Sequence, residues 1–206
     1  MTAPRVGVLA LQGAFREHIA TLQQLGVDAF PMRTESELMA ADAVVLPGGE
    51  STTMDKLLRK FNLQQPLRQR LLDGMPAMAT CAGLILLAHE VLDGLPDQES
   101  LDILPISVRR NGYGRQPDSF QADLAIDGLD GPFPGVFIRA PLIESVDPSL
   151  GVLAEHDGRV VAVSSGHVLG LTFHPELSGD ARLHGYFLER ASSQASVAPA
   201  RRAAGA

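Results

Sequence analysis

The chain has one cysteine in 206 residues, no tryptophan and two tyrosines. A lone cysteine closes no internal disulfide, so nothing implies an oxidising compartment or a covalent staple. No apolar run approaches the roughly 20 residues of a membrane-spanning helix, and Gln12 interrupts "VGVLAL" well short of a signal-peptide core. Cys-x-x-Cys, His-x-x-x-His and clustered carboxylate motifs are all missing, so no metal and no other cofactor is expected. Long like-charge runs are absent too, and the 17 basic residues are outnumbered by 24 acidic ones, for a formal charge of −7. That balance argues against nucleic acid or an anionic membrane as the main partner. What remains is an ordinary globular composition, 45% hydrophobic and 20% charged. It predicts a soluble, cytoplasmic protein with one domain over residues 1–191.

The first half alternates between two periodicities. "RVGVLAL" (5–11) reads as a strand, followed by Phe15, Ile19 and Leu22 at helical spacing and by Gly26 as a stop. "VDAFPMR" reads as an edge strand because of Pro31. In "TESE" (34–37), Thr34 and Glu37 have the spacing of a capping box, which predicts a short helix. "DAVVLPGGE" gives a third strand and a glycine turn, "STTMDKLLRKF" and "QPLRQRLLDG" two helices, and "MPAMATC" a fourth strand. Strands alternating with helices predict an α/β fold of three layers, a mostly parallel sheet flanked by helices. The second half is instead a series of short β-like runs, with "HDGR" (156–159) as a hairpin turn, so antiparallel additions are expected there. "DARLHGYFLERA" predicts a last helix with an apolar stripe of Leu183, Phe187 and Leu188. Residues 192–206 lack periodicity and read as a disordered tail.

The single thiol, Cys81, lies in "ATCAG", with small residues before and after it at a strand-to-helix junction. This is the pattern of a nucleophile elbow, where large neighbours would clash with crossing backbone. A helix starting at Ala82 aims free N–H groups at the sulfur and favours the thiolate. The competing reading is a small buried core residue. A thiolate nucleophile requires a general base, and six histidines are present. His18 and His184 fall in amphipathic helical stretches, His89 late in the helix after Cys81, His156 before the hairpin turn and His167 in a glycine-rich turn. All five read as surface or structural. His174 ends the apolar run "VLGLTF", and Glu176, two residues on across Pro175, is placed to hold one ring nitrogen while the other faces the thiol. In an open parallel sheet both Cys81 and His174 would emerge at the carboxyl ends of strands, where ligands gather. "PGGEST" adds backbone donors for an oxyanion, from the Gly48 and Gly49 turn and from the Ala82 N–H. It lacks the lysine and spacing of a phosphate-binding loop.

These parts, in this order, resemble the class I (triad) glutamine amidotransferases. The segments "LALQGAFREH", "LPGGESTTM", "TCAGLILLA", "RNGYGRQ", "DSFQADL", "FIRAP" and "FHPEL" narrow the resemblance to the glutaminase-subunit family of pyridoxal 5′-phosphate synthase. Ala79 and Tyr113 stand where that family usually has Gly and commonly has Phe. The resemblance implies a flavodoxin-like fold, Cys81 as nucleophile, His174 as general base and acid, and Glu176 as the group orienting it. It places Gly48, Gly49, Glu50, Arg110, Ile138 and Arg139 around glutamine. Charge complementarity gives the same sense: an arginine suits the substrate α-carboxylate, and Glu50 the α-ammonium, either directly or through the loop. The implied partner is the β/α-barrel synthase subunit, which takes up ammonia to form pyridoxal 5′-phosphate and without which the glutaminase is silent. Three other readings stand beside this one. They are the glutaminase subunit of a different amidotransferase, a catalytically silent docking scaffold, and a stand-alone cysteine hydrolase.

Overall fold

A computed structural model describes residues 4–110, 112 and 119–195 of the chain. Strand β1 (Val6–Leu9) leads through helix α1 (Phe15–Gln24) to β2 (Ala29–Met32). Helix α2 (Glu35–Ala40) then leads to β3 (Ala43–Leu46). Helices α3 (Ser51–Lys60) and α4 (Gln64–Leu72) precede β4 (Ala77–Thr80), which turns directly into α5 (Ala82–Leu87). After the β-rich segment come β10 (Gly151–His156), β11 (Arg159–Ser164) and β12 (Val168–Leu171). A 3-10 turn (Pro175–Leu177) and helix α6 (Arg182–Ala195) complete the described chain.

Seven strands form one sheet in the order β10-β11-β12-β4-β3-β1-β2. The pairs from β12 to β2 are parallel, and β10 and β11 extend the sheet antiparallel. Strands β1, β3, β4 and β12 are buried at every position, as strands covered on both faces must be. Their side chains alternate between two cores: Val44, Leu46, Ala77 and Ala79 meet Met54, Leu58 and Leu84 on one face, while Val45 and Met78 meet Phe137, Phe173 and Phe187 on the other. Pro31 does lie in an edge strand, β2. The Thr34–Glu37 capping box is present with both of its hydrogen bonds. The turn between β10 and β11 is made by Asp157 and Gly158, both at positive φ (49° and 71°), the combination a two-residue hairpin requires.

The smaller sheets sit in the second half. Strand β5 (Ala88–Val91) pairs parallel with β6 (Leu104–Arg109), which pairs antiparallel with β9 (Leu142–Val146). Strand β7 (Phe120–Leu124) pairs antiparallel with β8 (Phe133–Phe137).

Two expectations are corrected. His89 is in strand β5, because α5 ends at Leu87 and the backbone of Ala88 turns extended to pair with Leu104. Helix α6 runs past the expected boundary at residue 192 to Ala195, and the hydroxyls of Ser192 and Ser193 donate back to the Leu188 and Glu189 carbonyls within it rather than leaving the helix. The rest of the predicted tail, 196–206, lies outside the described residues, as do Asn111 and 113–116 of "RNGYGRQ".

Candidate active site

Sheet register brings three loops together. Leu46 of β3 is level with Ala79 of β4, and Thr80 of β4 is level with Leu171 of β12. The segments after these residues carry Gly48–Gly49, Cys81 and His174, and all leave the carboxyl edge of the sheet side by side.

Cys81 occupies the sharp turn between β4 and α5 with φ +47° and ψ −104°. A non-glycine residue held there stores strain on the order of 1–3 kcal/mol, which persists because the surroundings fix it. Its N–H donates to the Leu171 carbonyl at 2.9 Å, and its carbonyl accepts from Ile85 N–H. Gly83 packs so closely that a Cβ would lie 2.1 Å from the Leu46 carbonyl oxygen. Ala79, by contrast, is fully buried with its methyl group accommodated. Helix α5 has only six residues, so its dipole adds little, and the elbow geometry is the larger feature.

His174 is anchored by its N–H to the Val136 carbonyl at 2.8 Å. Pro175 opens the 3-10 turn that brings Glu176 back, and Oε1 lies 2.7 Å from His174 Nδ1. Burial alone would lower the His174 pKa, but hydrogen bonds and charge from Cys81 and Glu176 outweigh it and raise the imidazole to about 10. Burial likewise pushes the Glu176 carboxyl up, and the neighbouring imidazoles of His18 and His174 more than reverse this, leaving it below its ordinary value. Cys81 and His174 line the same crevice, with Glu176 behind the imidazole, and all three residues are buried.

A crevice of about 320 Å³ opens over the thiol. Gly48, Gly49, Glu50, Arg110, Ile138 and Arg139 line it together with Cys81 and His174, whereas Ala82 is buried and not among the lining residues. The Gly48 carbonyl accepts from Ala14 N–H at 3.0 Å, so in a trans peptide the Gly49 N–H points the opposite way. Glu50 N–H donates to Gln12 Oε1 at 2.7 Å, which ties the loop to the segment after β1.

The Glu50 carboxylate is committed. It is the N-cap of α3, accepting from the backbone N–H and hydroxyl of both Thr52 and Thr53. It also lies 3.2 Å from Arg110 Nη2. Burial is the largest single influence and raises its pKa, but the four threonine donors together outweigh it and lower the carboxyl to about 2. Arg110 spends one donor on Glu50 and one on Gln98 Oε1, at 3.0 Å, which leaves further N–H groups on both terminal nitrogens. Arg139 is exposed, at φ +45°, and its guanidinium has no hydrogen bond to a described residue. The Ile138 carbonyl lies 3.9 Å from Cys81 Sγ.

Sequence reasoning missed the layer behind Glu176. His18 and His184, read as surface or structural, are fully buried and 3.0 Å apart, and His18 Nε2 lies 3.2 Å from Glu176 Oε2 and 3.3 Å from Thr80 Oγ1. The signal was there: Phe15, His18 and Leu22 share one face of α1, and His18 rather than Ile19 is the position fully buried. Among the described residues there is no cluster of metal-ligating side chains and no helix long and apolar enough to cross a membrane.

An open, mostly parallel sheet with a strained cysteine and a carboxylate-held histidine on adjacent strand ends is the arrangement that the resemblance to the class I glutamine amidotransferases implies. The model of the SNO glutamine amidotransferase family matches residues 8–193, and the chain belongs to that family. It is 56% identical over 200 residues to the pyridoxal 5′-phosphate synthase subunit PdxT of Acidothermus cellulolyticus, covering 94% of this chain and 97% of that one. The PdxT of Mycolicibacterium vanbaalenii is 52% identical over 191 residues, covering 91% and 98%. A solved structure of a glutamine amidotransferase superposes with a TM-score of 0.86 at 47% identity, covering 91% of this chain and 98% of the other.

Proposed function

We propose that the chain hydrolyses L-glutamine to L-glutamate and ammonia at the Cys81 crevice, and that the ammonia serves pyridoxal 5′-phosphate synthesis. The observation that carries this reading is a crevice lined by the Cys81 thiol, by the His174 imidazole that Glu176 holds from behind, and by Arg110 and Arg139. The Cys81 thiolate attacks the side-chain amide carbon of glutamine, forming the C–S bond and a tetrahedral oxyanion. The Gly48–Gly49 loop and the Ala82 N–H are the donors for that oxygen. The His174 imidazolium gives its proton to the nitrogen as the C–N bond breaks, and ammonia leaves. His174, now neutral, takes a proton from water as it attacks the thioester, the C–S bond breaks, and glutamate and thiolate are released. Glu176 holds the ring in the tautomer this cycle needs.

Substrate selection follows from which charges are spent. Glu50 is saturated by its threonine donors, so its part is to hold Arg110 and the start of α3 rather than to meet the α-ammonium by itself. The remaining N–H groups of Arg110, with Arg139, suit the α-carboxylate. Ile138 contributes its carbonyl beside the thiol.

Ammonia released into bulk water is lost to protonation and dilution, so a partner must receive it. Both named relatives are subunits of pyridoxal 5′-phosphate synthase. We assign the receiving role to the β/α-barrel subunit of that complex, in the cytoplasm, where a free thiol stays reduced. Glutamate release measured with and without the purified synthase subunit tests this: release that rises strongly on addition supports it. No release in either case favours a silent docking scaffold, and equal release removes the coupling.

A further inference from the structure

The second oxygen of Glu176 has no place in the reaction above. Oε1 is taken by His174, while Oε2 is buried and has no hydrogen-bond partner among the described residues. The polar atom it faces is His18 Nε2 at 3.2 Å, from α1, and that nitrogen also lies 3.3 Å from Thr80 Oγ1 at the end of β4. The other His18 nitrogen lies 3.0 Å from His184 Nε2, from α6. Both histidine side chains are fully buried, and His184 Nδ1 has no hydrogen-bond partner among the described residues.

This geometry favours one arrangement of the protons. A carboxylate oxygen only accepts, so Nε2 of His18 carries hydrogen and Nδ1 presents its lone pair. That lone pair then takes the Nε2–H of His184, and the unpartnered His184 Nδ1 is left as a bare acceptor. The opposite tautomers would turn a lone pair toward a carboxylate and bury an unpaired N–H, which is the costlier arrangement. Burial keeps both rings below their ordinary pKa, outweighing Glu176 in each case. The other charged groups that reach His18 are His174, across Glu176, and Glu17 on its own helix.

We propose that His18 is a positioning residue for Glu176: a neutral Nε2–H imidazole, its other nitrogen accepting from His184, that serves the carboxylate oxygen His174 leaves free. It keeps the carboxylate ionised and turned toward His174 Nδ1, and so acts on Cys81 through two intervening side chains. This rests on the Cys81–His174–Glu176 reading given above.

The test compares His18→Phe, which keeps the ring and loses the donor, with His18→Gln, whose amide N–H reaches toward the same place. Two readouts are taken: glutamate release in the complex with the synthase subunit, and the pH dependence of Cys81 alkylation by iodoacetamide, which needs no glutamine. Expected for His18→Phe is a kcat lower by about tenfold to a hundredfold at unchanged KM. The acid limb of alkylation should move up by about one pH unit. His18→Gln should recover most of both. A His18→Phe protein with wild-type alkylation and turnover overturns the proposal, and so does equal impairment of the two variants, which would mark a packing role. If wild type releases no glutamate while His18→Phe still displaces the alkylation limb, the glutaminase reading falls and the positioning role stands. Imidazole nitrogen chemical shifts of the wild-type protein add a check that no folding defect can obscure: an Nδ1–H tautomer at His18 overturns the proposal.

Discussion

A methyl group on Gly48 would sit 2.2 Å from Cε1 of His174. Either the imidazole or the loop must then move by about an ångström, and a displacement of that size costs on the order of a hundredfold in rate. Gly48→Ala should therefore lose about a hundredfold in glutamate release while its unfolding midpoint changes little, as measured by activity and thermal melts side by side. His184 provides a test of a different kind, because burial lowers its pKa from 6.5 to about 3. Between those values the unfolded chain binds the proton and the folded chain does not, so stability rises with pH. The contribution is whole above about pH 6.5 and is lost as pH falls toward about 3. His184→Leu should flatten the acid side of a stability-against-pH curve by up to about 1.4 kcal/mol per pH unit. Cys81 and His174 were legible in the sequence because each ends an apolar strand, next to small residues or a proline. His18 showed only its place on the Phe15–Leu22 face and His184 not even that, because an imidazole on a helix reads the same whether it meets water or another buried imidazole 166 positions away.

Among the elements, α2 and α3 are started by side chains that the sequence displays openly. Thr34 accepts from Glu37 N–H and Glu37 accepts in return from Thr34 N–H. Thr34→Ala should cost about 1 kcal/mol in denaturant unfolding and leave glutamate release unchanged, since α2 is remote from the crevice. Glu50 caps α3 and holds Arg110, so Glu50→Ala should cost a similar 1 kcal/mol or so and also raise KM for glutamine. Only the second of these two caps should register in a kinetic assay. Strand β2 and the β10–β11 hairpin followed from Pro31 and from Asp157–Gly158, residues with few backbone options. The short α5 was harder, since "GLILLAH" continues a helical pattern and only pairing with β6 ends it at Leu87. Helix α6 extends to Ala195, and serines that favour loops in isolation bond back into the helix here.

At the scale of the molecule, the strand order places β4 between β3 and β12, and that order is what makes three distant sequence motifs into one site. The alternating pattern of the first half implied a parallel sheet, but adjacency of β4 and β12, some 90 residues apart, is a tertiary fact that no local pattern encodes. The Cys81 thioester is the claim on which the chemistry depends. Its most direct test is acid quenching of the complex during turnover of glutamine, followed by mass mapping of the peptide that contains Cys81, for wild type and Cys81→Ala. One added glutamyl group on Cys81 in the wild type, with neither adduct nor glutamate release in Cys81→Ala, is the expected result. Glutamate release by Cys81→Ala at the wild-type rate would contradict it.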